Sequence, residues 1–163
     1  MENHDLTMPY NPEIHYCQTI RLKNYNYSQA GVYFITICTK QKQCIFGDIK
    51  NGEMRLNALG SIADKCWQEI PQHFPNVALD VYIIMPNHLH GILWITESPE
   101  NSNKNRKFGD IVAESVSSIV RSYKAIVTKK INQICNIKSV SSVWQSRYYK
   151  QIIRDEEALS NVS

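Results

Sequence analysis

In "MPNHLHGILWI", Met85 to Ile95, His88 and His90 stand one residue apart, behind a proline and ahead of an apolar run. If this stretch is a strand, its two-residue side-chain period points both imidazoles to one face. Two imidazoles so placed can share a divalent ion. Imidazole suits zinc, copper, iron or nickel, and manganese or magnesium where carboxylate, amide or water completes the shell. The competing reading is structural, with one histidine hydrogen-bonded in the core and the other exposed. His4, His15 and His73 have no comparable arrangement and read as structural or solvated.

The flanks narrow the chemistry. A histidine-triad nucleotide hydrolase would place a third histidine at position 92, which is Ile92. A cupin would place a glutamate a few residues after the pair, and Glu97 lies too far along. An amidohydrolase barrel needs a much longer chain. What survives is phosphoryl transfer on DNA, in which a divalent ion polarises a backbone phosphate and a side-chain oxygen attacks it in line.

These residues need elements to hold them. "GVYFITICTK", Gly31 to Lys40, alternates bulky and β-branched residues and predicts a strand. Gly47 and Asn51-Gly52 predict turns or a small hairpin. Leu59, Ile62, Cys66, Trp67 and Ile70 recur at three- and four-residue steps, which predicts an amphipathic helix over 57–70 stopped by Pro71. "VALDVYIIMPNHLHGILWI" predicts two strands joined by a tight turn at Pro86-Asn87. Thr96 to Lys107 is polar and reads as a loop. From Ile111/Val112 through Val116, Ile119/Val120, Tyr123, Ile126/Val127, Ile131 to Ile134 the spacing is again helical, with Arg121, Lys124, Lys129 and Lys130 decorating the segment. "SSVWQSRYYKQIIR" is an aromatic and basic cluster. "DEEALSNVS" reads as a helix start with Asp155 as cap, and it runs for barely two turns. The order strand, helix, hairpin, helix predicts an α+β, ferredoxin-like antiparallel sheet with helices packed on one face.

At 163 residues the chain suits one domain, 1–163, preceded by a polar arm over 1–14. No run of about 18 apolar residues exists, which excludes a helical membrane span, and the polar N-terminus lacks the pattern of a signal peptide. A cytoplasmic protein without a membrane partner is expected. The five cysteines, Cys17, Cys38, Cys44, Cys66 and Cys135, are odd in number and form no CxxC pair, so they read as reduced structural thiols. Charge is uneven: residues 1–97 hold 7 Lys+Arg against 9 Asp+Glu, and residues 98–163 hold 11 against 6. The C-terminal part is therefore the better candidate for an acidic partner such as nucleic acid, although a solvated basic face gives the same pattern.

The motif "MPNHLHGILWI", preceded by "GVYFITICTK", "FGDI", "MRLNALGSI" and "FPNVALDVYII" and followed by "VWQSRYYKQIIRDEE", resembles the single-tyrosine HUH transposases, in particular the REP-associated tyrosine transposases. The resemblance spans roughly residues 15–163, and its motifs occur in the family's order. It implies that His88 and His90 hold a catalytic Mg²⁺ or Mn²⁺, with Leu89 as the hydrophobic residue between them. It implies single-stranded DNA with hairpin structure as substrate, cleaved and rejoined through a tyrosine joined to the 5′ phosphate, and it is compatible with a homodimer. Arg121, Lys124, Trp144 and Arg147 are the candidate DNA contacts: cations neutralise phosphates and aromatic faces stack on unpaired bases.

This sequence departs from the family pattern in two places. Gln151 stands where relatives often have histidine. The family's nucleophilic tyrosine lies on a helix after the "IIRDEE" segment, with an Asn or Gln one turn later as third metal ligand, and both positions are expected beyond Ser163. The catalytic helix is thus expected to be incomplete and the nucleophile unassigned. Tyr148 and Tyr149 match the Trp-Gln segment and are the fallback nucleophiles. A catalytically inactive DNA-binding relic is the alternative reading, and a small-molecule phosphoesterase is a third that lacks a further ligand and a base.

Overall fold

The computed structural model describes residues 30–96, 115–136 and 142–153. The polar arm, Cys17, Ile111/Val112, the loop beyond Thr96 and the helix start at Asp155 lie outside them.

Four strands form one antiparallel sheet: β1 (Gly31–Cys38), β4 (Val77–Met85), β5 (His88–Ile95) and β6 (Tyr149–Ile153), in the order β4-β5-β1-β6. A separate hairpin joins β2 (Gly47–Lys50) to β3 (Glu53–Leu56). Its turn has Asn51 at φ 54° and Gly52 at φ 79°. Positive φ at both central residues is the two-residue geometry whose twist matches the strands, and Asn-Gly tolerates it.

Helix α1 (Ala58–Gln68) starts where the Asn57 side chain accepts a hydrogen bond from the Gly60 backbone N–H, which satisfies one of the free donors of the first turn. The sequence predicts that Pro71 ends this helix. It ends at Gln68, just before the proline, and a second, four-residue helix α2 (Ile70–His73) that the spacing did not predict follows Glu69 with Pro71 in its first turn, where its missing N–H costs no intrahelical bond. Helix α3 (Val116–Ile134) is capped by Ser115, whose side chain accepts from the Ser118 N–H.

The α+β architecture follows from which face each strand buries. Tyr33, Ile35 and Ile37 on β1, with Leu89, Leu93 and Ile95 on β5, meet Ala63, Cys66 and Trp67 of α1 and Ile119, Val120, Tyr123 and Val127 of α3 in one core. Tyr123 meets Trp67 edge-on at 5.2 Å, and its hydroxyl donates to the Ala63 carbonyl, so it joins the two helices. Alternate residues, Phe34, Thr36, His88 and His90 among them, face the other side. β4 carries an irregularity between Leu79 and Tyr82, where its register against β5 shifts.

One contact ties this packing to the histidine motif. A Cβ placed on Gly91 would lie 2.5 Å from Cζ2 of the buried Trp67 ring, so the residue after His90 must be glycine for α1 to sit this close. Gly91→Ala is expected to lower folding stability by about 1–3 kcal/mol, the usual cost of overpacking, measured as a shift of the urea midpoint. An unchanged midpoint would mean that the indole moves aside without cost.

Candidate metal centre and nucleic-acid face

His88 and His90 lie at the start of β5 on the sheet face turned away from the helices. Their ring centroids are 4.5 Å apart, with planes at 74°. Each ring is oriented through Nδ1. His88 Nδ1 is 2.6 Å from Asn87 Oδ1, and His90 Nδ1 is 2.8 Å from Thr36 Oγ1. Phe34 stacks on His90 with centroids 5.4 Å apart and planes 18° from parallel. Burial pulls the pKa of both imidazoles below the ordinary 6.5, and the neighbouring His88 adds to the effect at His90. A neutral ring that donates through Nδ1 presents Nε2 as its lone pair, the arrangement that metal-ligating histidines use. This donor set fits two positions of a divalent ion's shell. Among the described residues, no group of three or more His, Cys, Asp and Glu side chains could hold a metal; oxygen donors such as carboxylate, amide, water or substrate suit the rest of a hard cation's shell.

The turn that delivers the pair is anchored from the segment that follows β1. The Thr39 N–H donates to the Asn87 carbonyl at 2.9 Å, and the fully buried Thr39 hydroxyl lies 2.9 Å from the same oxygen and 2.8 Å from the Gln43 carbonyl. The Phe46 N–H donates to the Pro86 carbonyl, and the Asn87 side-chain amide donates to the Lys42 carbonyl. Asn87, Thr36 and Phe34 are site residues that sequence reasoning missed. Asn87 adjoins His88 in the motif, but Thr36 and Phe34 reach His90 only through the β1–β5 register, where Thr36 pairs with His90.

The two fallback tyrosines separate. Tyr149 pairs with Thr36, which in turn pairs with His90, so Tyr149 lies on the histidine face two strands away. It is 42% exposed, and its hydroxyl donates to Gln151 Oε1 at 3.0 Å. Tyr148 lies on the helix side, with its hydroxyl 2.9 Å from Ser117 Oγ of α3. The sheet therefore separates Tyr148 from the histidines. The strand β6 that carries this difference was not read from the sequence.

The candidate DNA contacts fall into different environments. Trp144, expected to stack on bases, is 4% exposed and packs between Phe46 and Tyr123 at 5.2 and 5.6 Å. Its ring faces are used by the core, which corrects that expectation. The Lys124 ammonium, expected on a phosphate, donates to the Gln145 carbonyl at 2.8 Å and lies 3.4 and 3.3 Å from those of Ser146 and Arg147. Burial lowers its pKa, and the Cys38 thiol opposes the shift. It clamps the segment leading into β6. Lys130 is paired with Glu69 at 3.3 Å. Arg121 and Arg147 are exposed and keep their side chains at the surface.

No family model matches the chain. Among solved structures, it is similar to a REP-associated tyrosine transposase bound to a REP hairpin (TM-score 0.54, 16% identity, covering 87% of this chain and 67% of the other). It is also similar to a transposase candidate from Deinococcus radiodurans R1 (TM-score 0.51, 12% identity, covering 87% and 91%). The chain thus has the fold of the REP-associated tyrosine transposases, as the sequence resemblance implied. By sequence it belongs to the family of an uncharacterized protein of Haemophilus influenzae, 44% identical over 160 residues that cover 94% of this chain and 87% of that protein.

Two outcomes follow from this geometry. Lys124→Met should lower stability by about 1–3 kcal/mol, because the part-buried Gln145 carbonyl and its two neighbours lose a charged donor, whereas Arg121→Ala should change it by less than about 0.5 kcal/mol; urea titrations of both variants measure this. The depressed histidine pKa values fix a sign for pH. Below pH 6.5 the unfolded chain takes up protons that the folded rings resist, so stability is full above 6.5 and falls as the pH drops. The urea midpoint should decline from pH 7.5 to pH 5, and less so in a His88→Phe, His90→Phe double variant.

Proposed function

We propose that this protein is a transposase-type DNA-processing protein that binds single-stranded DNA with hairpin structure and holds Mg²⁺ or Mn²⁺ on His88 and His90. The observation that supports it is the adjacent pair of half-buried imidazoles on the sheet face turned away from α1 and α3, both engaged at Nδ1. The fold likeness includes a transposase bound to a REP hairpin, which is the basis for the hairpin substrate. A bound divalent ion would supply the positive charge that polarises a DNA phosphate. The protein's own residues do the rest. Thr36, Phe34 and Asn87 orient the imidazoles, and the exposed Arg121 and Arg147 are available to phosphates.

Strand cleavage needs a tyrosine oxygen in line with the scissile phosphate. Of the two fallback tyrosines, only Tyr149 shares the histidine face. The placement of Tyr148 behind the sheet favours a second reading, DNA binding without cleavage.

Fluorescence anisotropy with a labelled single-stranded hairpin, with and without Mn²⁺, tests the first reading. Binding should be stronger with Mn²⁺ and should weaken steeply with salt. His88→Ala with His90→Ala should remove the Mn²⁺ dependence, and Arg147→Ala should weaken binding whether or not Mn²⁺ is present. No affinity for the hairpin at low salt would sink both readings. A denaturant-resistant protein–DNA band that is lost in Tyr149→Phe would establish cleavage and make Tyr149 the nucleophile.

A further inference from the structure

We propose that Asn87 and Thr36 are positioning residues that hold both imidazoles with the proton on Nδ1 and so turn both Nε2 lone pairs toward one shared site. This deepens the metal-site reading above and rests on it.

The argument begins with what each partner can do. An amide oxygen only accepts, so the 2.6 Å contact between Asn87 Oδ1 and His88 Nδ1 requires the proton on Nδ1. The amide is kept from flipping because its nitrogen donates to the Lys42 carbonyl at 3.3 Å. Its backbone is held as well, since the Asn87 carbonyl receives the Thr39 N–H at 2.9 Å. The side chain is thus fixed from both ends without any help from an ion.

Thr36 works from the adjacent strand. Its Oγ1 lies 2.8 Å from His90 Nδ1, and Thr36 is the register partner of His90. A hydroxyl can donate or accept. If it donated, the His90 proton would sit on Nε2, and that ring could not join His88 at a common ion. Accepting is the role that lets both rings serve, and the Phe34 ring stacked at 5.4 Å keeps the His90 plane in place. Both Nδ1 atoms are occupied by side-chain oxygens, so a shared ion has only the two Nε2 atoms to use.

The test uses the full chain with ¹⁵N-labelled histidine, without metal, at pH 8, where imidazoles are neutral. Long-range ¹H–¹⁵N correlation should show Nδ1 protonated and Nε2 unprotonated for both His88 and His90. Asn87→Ala should give a mixed tautomer at His88 and Mn²⁺ binding about 10–100-fold weaker, read by the paramagnetic resonance of free Mn²⁺. Asn87→Asp, which keeps an acceptor, should preserve both. Thr36→Val should act likewise at His90, and Thr36→Ser should restore the wild-type pattern. A proton on Nε2 of either ring in the wild type would overturn the proposal, and this readout depends on no variant folding. Folded Asn87→Ala and Thr36→Val proteins with unchanged tautomers and affinity would overturn it too. Wild-type protein that shows the expected tautomers but binds no Mn²⁺ would refute the metal reading and leave the positioning role standing.

Discussion

The antiparallel register between β1 and β5 is the constraint on which the rest of the molecule depends. It sets Thr36 opposite His90 and Cys38 opposite His88. It also decides that Tyr33, Ile35 and Ile37 meet Leu89 and Leu93 over the helices. Because side chains alternate, a slip of one residue would bury the histidines against α1 and α3 and expose the core set. The core therefore enforces the site: the apolar contacts that stabilise the sheet also hold the histidines on the face away from α1 and α3, where Thr36 pairs with His90.

The two sides of the sheet divide the polar residues by task. On the helix side, polar groups hold elements together: Tyr123 bonds the Ala63 carbonyl, Lys124 bonds the carbonyls before β6, and Lys130 pairs with Glu69. On the other side, Asn87 and Thr36 bond imidazoles. Net charge by segment cannot distinguish these uses. Of the cations counted toward a basic C-terminal part, Lys124 bonds backbone carbonyls and Lys130 a carboxylate within the protein, and Arg121 and Arg147 remain at the surface.

Much of the fold could be read from local pattern. The alternation in β1, the spacing in α1 and α3, and the turn at Pro86-Asn87 each have a short-range cause, and the histidine pair was legible for the same reason. What escaped has long-range causes. β6 is five residues long and pairs with β1 across more than a hundred positions of sequence, so nothing in "YKQII" alone announces its partner. Trp144 reads as a surface aromatic beside Arg147, yet an isolated bridge between Thr39 and Trp144 draws it into the core. Thr36 has no local mark of its role, because its partner is 54 residues away. Pro71 marks the end of α1 in the sequence but hides the short α2, because proline is tolerated in a helix's first turn as readily as it ends the preceding one.

The shift of register in β4 between Leu79 and Tyr82 has a consequence for how the molecule behaves among copies of itself. Among the described residues β4 is one of the sheet's two edge strands, and Val81 and Ile83 are about half exposed along it. A straight, apolar border of this kind offers its free N–H and C=O groups as a template for another chain. The irregularity breaks the even spacing of those groups and adds local twist. The Asp80 carboxylate at the same place accepts the Trp94 indole N–H and the Val81 backbone N–H, so that backbone donor is already used within the sheet. The sheet can thus end in an apolar border without inviting open-ended fibre growth.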